Sequence, residues 1–160
     1  KAIAVKPDYG RAYNNLGAVL TEQGKYLQAI EYYREAFRLE PGNRRAFFNY
    51  YMAHDDLGNR LAARGELAEA ADHYRKAVEI NPGYAEGFNN LGAVLARTGK
   101  NSEAEECFLR ALEINSGFEP ARRNLKRVQK NMGGFKNERI SRKNQRQDRA
   151  DPSGNRRFAQ

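Results

Sequence analysis

At 160 residues and 18.2 kDa the chain has the length of one ordinary domain, and with 40% hydrophobic and 30% charged residues it is polar for a globular protein yet too apolar for full disorder. A single cysteine excludes an internal disulfide, and two histidines with that cysteine are too few for a structural zinc site unless carboxylates complete it. No apolar run is long enough to span a membrane or to act as an export leader.

The net charge of +8 is held unevenly. Residues 1–118 carry 15 Lys+Arg against 16 Asp+Glu, whereas residues 119–160 carry 13 against 4. The basic character belongs to the C-terminal quarter. It points to an acidic partner or a nucleic-acid backbone, against the simpler reading of a solvated extension.

Internal repetition orders the chain. KAIAVKP (1–7) matches REAFRLEP (34–41), the last turns of a helix, so residues 1–9 read as the end of a preceding repeat. Residues 12–42 match residues 87–117, and NNLGAVL stands at both 14–20 and 89–95. Each unit has two apolar stripes at helical spacing, such as Tyr13/Leu16/Leu20 and Ala29/Ile30/Tyr33/Ala36/Phe37. Gly24, Gly65 and Gly99 break the chain between the two stripes. The pattern predicts helix pairs over 10–43, 44–84 and 85–118.

The middle unit is longer. RRAFFNYYMA (44–53) aligns with 10–19 at a shift of 34 residues, but HDDLGNRLAARG (54–65) aligns with 13–24 at a shift of 41. Both registers hold together if the first helix gains two turns and runs from about 44 to 63. Seven residues rotate a helix by about 700°, so both halves keep their facing while the helix extends by about 10 Å. Residues 119–134 then read as a capping helix with a charged outer face (Arg122, Arg123, Lys126, Arg127, Lys130), and 135–160 as a basic tail with too few apolar residues to build a core.

These residues carry a family resemblance. Tyr13, Leu16, Gly17, Leu20, Ala29, Tyr33, Ala36 and Pro41 follow the tetratricopeptide pattern. So do Leu57, Gly58, Leu61, Ala70, Tyr74, Ala77 and Pro82, with His54 in the aromatic place. Phe88, Leu91, Gly92, Leu95, Ala104, Phe108 and Ala111 repeat it, with Ser116 in place of proline. The chain resembles this family over residues 2 to about 132. The resemblance implies an all-α, right-handed solenoid of antiparallel helix pairs with a C-terminal capping helix. It also implies a non-catalytic protein-binding role.

Asn15, Asn49, Asn90 and Asn124 occupy one repeat place, with spacings of 34, 41 and 34. This is similar to the asparagine ladder of the superhelical repeats of O-linked N-acetylglucosamine transferase, where amides hold the main chain of an extended peptide. An amide offers both donor and acceptor, so it grips a peptide unit without reading its sequence. A purely structural role, satisfying a carbonyl between stacked helices, competes with that reading. Helical neighbours add Arg11, Asn14, Arg45, Asn89, Arg123 and Arg127 to the candidate groove. The chaperone-binding members need a Lys/Asn pair where this chain has Asn14 and Ala18, so the resemblance does not extend to a clamp of that kind.

Catalytic constellations are missing, and neither cofactor nor metal is expected. His54-Asp55-Asp56 and Asp72-His73 read as surface groups, and Cys107 as a half-buried, inert thiol. Two interaction modes compete: an adaptor for a protein or peptide, acidic by charge balance, and a head-to-tail homo-oligomer. In the second, Ile3 and Val5 of one copy meet Leu125, Val128 and Met132 of the next. Nucleic-acid binding by the basic end is the alternative, weakened because only Phe135 and Phe158 interleave its charges. A cytoplasmic setting is the default expectation, with a cell-surface or extracellular one left open.

Overall fold

A computed structural model describes residues 9–133. Among them are six helices with a seventh behind: α1 (Tyr9–Glu22), α2 (Tyr26–Leu39), α3 (Arg44–Ala63), α4 (Leu67–Ile80), α5 (Ala85–Arg97), α6 (Asn101–Ile114) and α7 (119–133). No described residue is in a strand. Ile3, Val5 and the basic tail lie outside the described residues.

Each hairpin closes at a glycine in the left-handed region, Gly24, Gly65 and Gly99, with φ of 74°, 84° and 81°. A side chain there would be strained, which is why the sequence repeats glycine at these turns. Within a hairpin a second glycine lets an aromatic ring of the second helix approach the first closely. A Cβ at Gly17 would stand 2.7 Å from the Tyr33 ring, at Gly58 2.8 Å from Tyr74, and at Gly92 2.7 Å from Phe108.

The hairpins stack into an all-α solenoid, α2 on α3 and α4 on α5, with α1 also touching α3. The larger core runs from the late half of α3 to α7 and includes Leu61, Tyr74, Leu91, Val94, Phe108 and Val128. Phe108 is fully buried, which is worth roughly 1.5–3 kcal/mol of transfer free energy. A smaller core of Ala29, Ile30, Tyr33 and Ala53 joins α2 to α3.

Helix α3 has 20 residues where its neighbours have 13 or 14. It begins at Asn43, whose side chain accepts from the backbone N–H groups of Arg45 and Ala46. Its early half packs backward, with Phe47 5.6 Å and Tyr50 6.3 Å from the Phe37 ring of α2. Its middle meets the next hairpin, Tyr51 lying 5.0 Å from Tyr84. Its end packs beside the first hairpin's turn, where the Arg60 guanidinium sits 4.5 Å over the Tyr26 ring.

The two ends of the array differ. At α7, Val128 is buried and Leu125 and Met132 pack against the larger core. The face expected to meet a second copy is therefore spent within the chain. At the other end, the apolar residues of the identical heptapeptide differ in burial between α1 and α5. Leu16 is 43% and Val19 46% exposed, against 5% for Leu91 and 3% for Val94. Helix α4 packs on α5, and no described helix occupies the matching place in front of α1.

Candidate peptide-binding groove

The first helices of the repeats, α1, α3, α5 and α7, are tied by one recurring bond. The Asn49 amide donates to Asn14 Oδ1 at 2.9 Å, Asn90 to Asp55 Oδ1 at 3.1 Å, and Asn124 to Asn89 Oδ1 at 2.9 Å. Three of the four ladder amides thus bind the preceding repeat. Each bond uses one N–H of a group that has two and a carbonyl besides, so a ladder amide retains capacity for a peptide unit. Asn14 is itself buried, Asn15 is exposed, and Asn49, Asn89, Asn90 and Asn124 are half-buried.

The bonds locate the two added turns of α3. On α5 the acceptor Asn89 directly precedes the donor Asn90. On α3 the acceptor Asp55 comes six residues after the donor Asn49. The ladder therefore shifts by seven residues, about 10 Å along the helix axis, as it crosses α3.

Three cavities open on or beside this ladder. The largest, about 710 Å³, lies between α1 and the α2–α3 turn, where Arg11, Asn14, Asn15 and Arg45 stand beside Glu40 and Asn43. A second, about 320 Å³, is formed on α7 by Pro120, Arg123, Asn124 and Arg127. A third, about 190 Å³, is lined by Thr21, Tyr33, Phe48, Asn49, Met52 and Asp56 together with Ala53. The predicted groove residues thus fall in three places, Arg11/Asn14/Asn15/Arg45, Asn49, and Arg123/Asn124/Arg127. Asn89 and Asn90 line none of these three cavities. Helical spacing places Phe48, Asn49 and Met52 on the groove side of α3, but it does not bring in Thr21 and Tyr33, which come from a different hairpin.

His54 and Asp55 correct the expectation of surface groups. His54 is 7% and Asp55 3% exposed. His54 Nδ1 lies 3.0 Å from His73 Nδ1, and burial, reinforced by His73 and Lys76, pushes His54 down to about 4. Asp55 accepts from Asn59 at 2.9 Å as well as from Asn90, and burial raises its pKa against those bonds. Its partners explain how a carboxylate is tolerated there. The sequence held the signal: His54 stands in the aromatic place of the repeat, and Asp55 in the place of Asn14 and Asn89. Cys107 is half-buried, and burial raises its thiol to about 11. Among the described residues no three His, Cys, Asp or Glu side chains converge to hold a metal, and no helix is long and apolar enough to cross a membrane.

Family models described as "Tetratricopeptide repeat" match residues 10–43 and 85–118, and one described as "TPR repeat" matches 58–99. The chain belongs to the tetratricopeptide repeat family. No curated protein matches it in sequence. Among solved structures, the first TPR of Spaghetti (RPAP3) bound to the HSP90 peptide SRMEEVD is similar, with a TM-score of 0.50 and 23% identity over 82% of this chain and 99% of that one. The first TPR domain of human RPAP3 gives 0.49 and 24% over 82% and 98%. The Arabidopsis OM64 TPR domain gives 0.49 and 19% over 78% and 97%. At such identity the Spaghetti likeness establishes the tetratricopeptide fold and nothing more.

Proposed function

We propose that this tetratricopeptide array is a non-catalytic protein-interaction scaffold that holds an extended, acidic peptide along the ladder face. The observation that carries the reading is the large cavity, where Arg11 and Arg45 stand beside the amides of Asn14 and Asn15. Guanidinium groups pair with carboxylates and amides with peptide units, so this lining, with two arginines against the one Glu40 carboxylate, suits a peptide with acidic side chains better than a neutral one. Arg123 and Arg127 repeat the arrangement at α7. In the similar Spaghetti structure the bound peptide, SRMEEVD, is also acid-rich.

Fluorescence anisotropy with labelled acidic peptides and neutral counterparts of equal length tests this. The acidic peptides bind more tightly, and Arg45→Ala weakens them about three- to tenfold, the usual cost of one charge-assisted contact. Equal binding of both peptide classes, or none, sinks the reading.

A second reading concerns the exposed α1 end. Leu91 and Val94, the counterparts of Leu16 and Val19 in the other copy of the heptapeptide, are buried where α4 packs on α5. We infer that this apolar face of α1 also receives another copy of the chain. Light scattering against concentration decides it: a mass that stays that of one chain at high concentration removes this mode.

A further inference from the structure

The small cavity differs in chemistry from the arginine-lined one, and the two are linked by a single stripe on α3. Arg45, Asn49, Met52 and Asp56 are spaced four, three and four residues apart, so they share one helix face. From Arg45 to Asp56 that stripe is about 16 Å long. Arg45 belongs to the large cavity, and Met52 and Asp56 to the small one.

Apart from the Asn49 amide, one N–H of which is held by Asn14, the polar groups at the small cavity are acceptors. The Thr21 hydroxyl donates to the Gly17 carbonyl at 3.0 Å, and the Tyr33 hydroxyl, 3.1 Å from Thr21 Oγ1, is left to donate to that oxygen. Both hydroxyl hydrogens are then committed, so beside the Asn49 amide the cavity lining offers oxygen lone pairs and the Asp56 carboxylate. The remaining wall is the Phe48 ring, 51% exposed, with Met52. Arg60, one turn beyond Asp56, acts on its carboxylate and is stacked over Tyr26.

We propose that this cavity takes a lysine or arginine side chain of the same peptide. The methylene stem lies along Phe48 and Met52, and the cation meets Asp56. The inference rests on the peptide reading above and adds a specificity to it. An acidic residue at Arg45 and a basic one at Asp56 are about 16 Å apart, which an extended chain covers in about five residues. The cavity also sets the register of the ligand. Phe48 and Met52 stand where the other repeats have Asn14 and Ala18 or Asn89 and Ala93, so only one repeat offers this wall.

The test uses peptides with one acidic residue and, five positions away in either direction, lysine, norleucine or glutamate. Anisotropy is measured with the full chain, with Asp56→Asn and with Phe48→Ala. The lysine peptide binds the unaltered chain about five- to tenfold more tightly than the norleucine peptide, as expected for one partly desolvated ion pair. Asp56→Asn brings the two within about twofold, and Phe48→Ala weakens the lysine peptide about threefold. Norleucine binding as tightly as lysine, or a lysine preference that survives Asp56→Asn, overturns the assignment while the peptide reading stands. Failure of every acidic peptide to bind overturns both.

Discussion

Nδ1 of His54 and Nδ1 of His73 face each other at 3.0 Å across the α3–α4 seam, so one ring donates and the other accepts. Two nitrogens share one proton, and a second proton would break the bond. Burial holds His54 at about 4 and also lowers His73, although Asp72 and Glu69 pull the latter upward. An unfolded histidine titrates near 6.5. As pH falls from about 6.5 towards 4, the unfolded chain takes up protons that the folded chain refuses, so stability falls across that window. For His54 the effect is at most about 3 kcal/mol. Urea unfolding at several pH values should show the slope, and His54→Phe should flatten it. The raised Asp55 and Asp56 act in the opposite sense, adding stability as pH falls through their folded values. An unaltered slope in His54→Phe would place the acid sensitivity elsewhere.

Asp55 joins the second repeat to the third through Asn90. Asn14 and Asn89 do the same task as neutral amides, so Asp55→Asn should cost less than about 1 kcal/mol. Asp55→Ala leaves the Asn59 and Asn90 donors without their acceptor and should cost about 2–3 kcal/mol. Equal losses for the two variants in chemical denaturation would show that the acceptor oxygen is not what matters.

Gly92→Ala sets two effects against each other. The helix gains about 1 kcal/mol of propensity, whereas a Cβ 2.7 Å from the fully buried Phe108 ring costs about 1–3 kcal/mol by overpacking. Phe108 is fully buried, so the overpacking outweighs the propensity gain and the variant should be less stable than the unaltered chain. A melting temperature that rises would show that the hairpin relaxes.

The two copies of NNLGAVL offer an internal control. Leu91→Glu buries a charge between α4 and α5 and should cost more than about 3 kcal/mol. Leu16→Glu, at the exposed copy, should change stability by less than about 1 kcal/mol. If the α1 face stacks on another copy, Leu16→Glu should also lower the mass measured by light scattering. A large loss of stability from Leu16→Glu would mean that the face is covered within the chain.

The helices were legible because apolar spacing and hairpin glycines are local signals. The two registers in 44–65 admit a continuous helix with two added turns, and α3 spans Arg44–Ala63. What stayed hidden depends on partners about 35 residues away. The ladder place was visible in Asn15, Asn49, Asn90 and Asn124, but not that three of these amides reach back to Asn14, Asp55 and Asn89. The stripe Leu125/Val128/Met132 was apolar by period, yet period does not say which neighbour covers it. The histidine pair needed α3 and α4 side by side, since His54 and His73 share no motif.

Cys107 gives the protein its own probe. It is the chain's single cysteine, half-buried on α6, with its thiol held near 11. Thiol reagents attack the thiolate, which is scarce here at neutral pH while the third hairpin stays closed. Alkylation of the closed hairpin is therefore slow, and a mutation or condition that opens the hairpin should speed it. A ligand that grips α5 or α7 slows that reaction without any label being added to the groove.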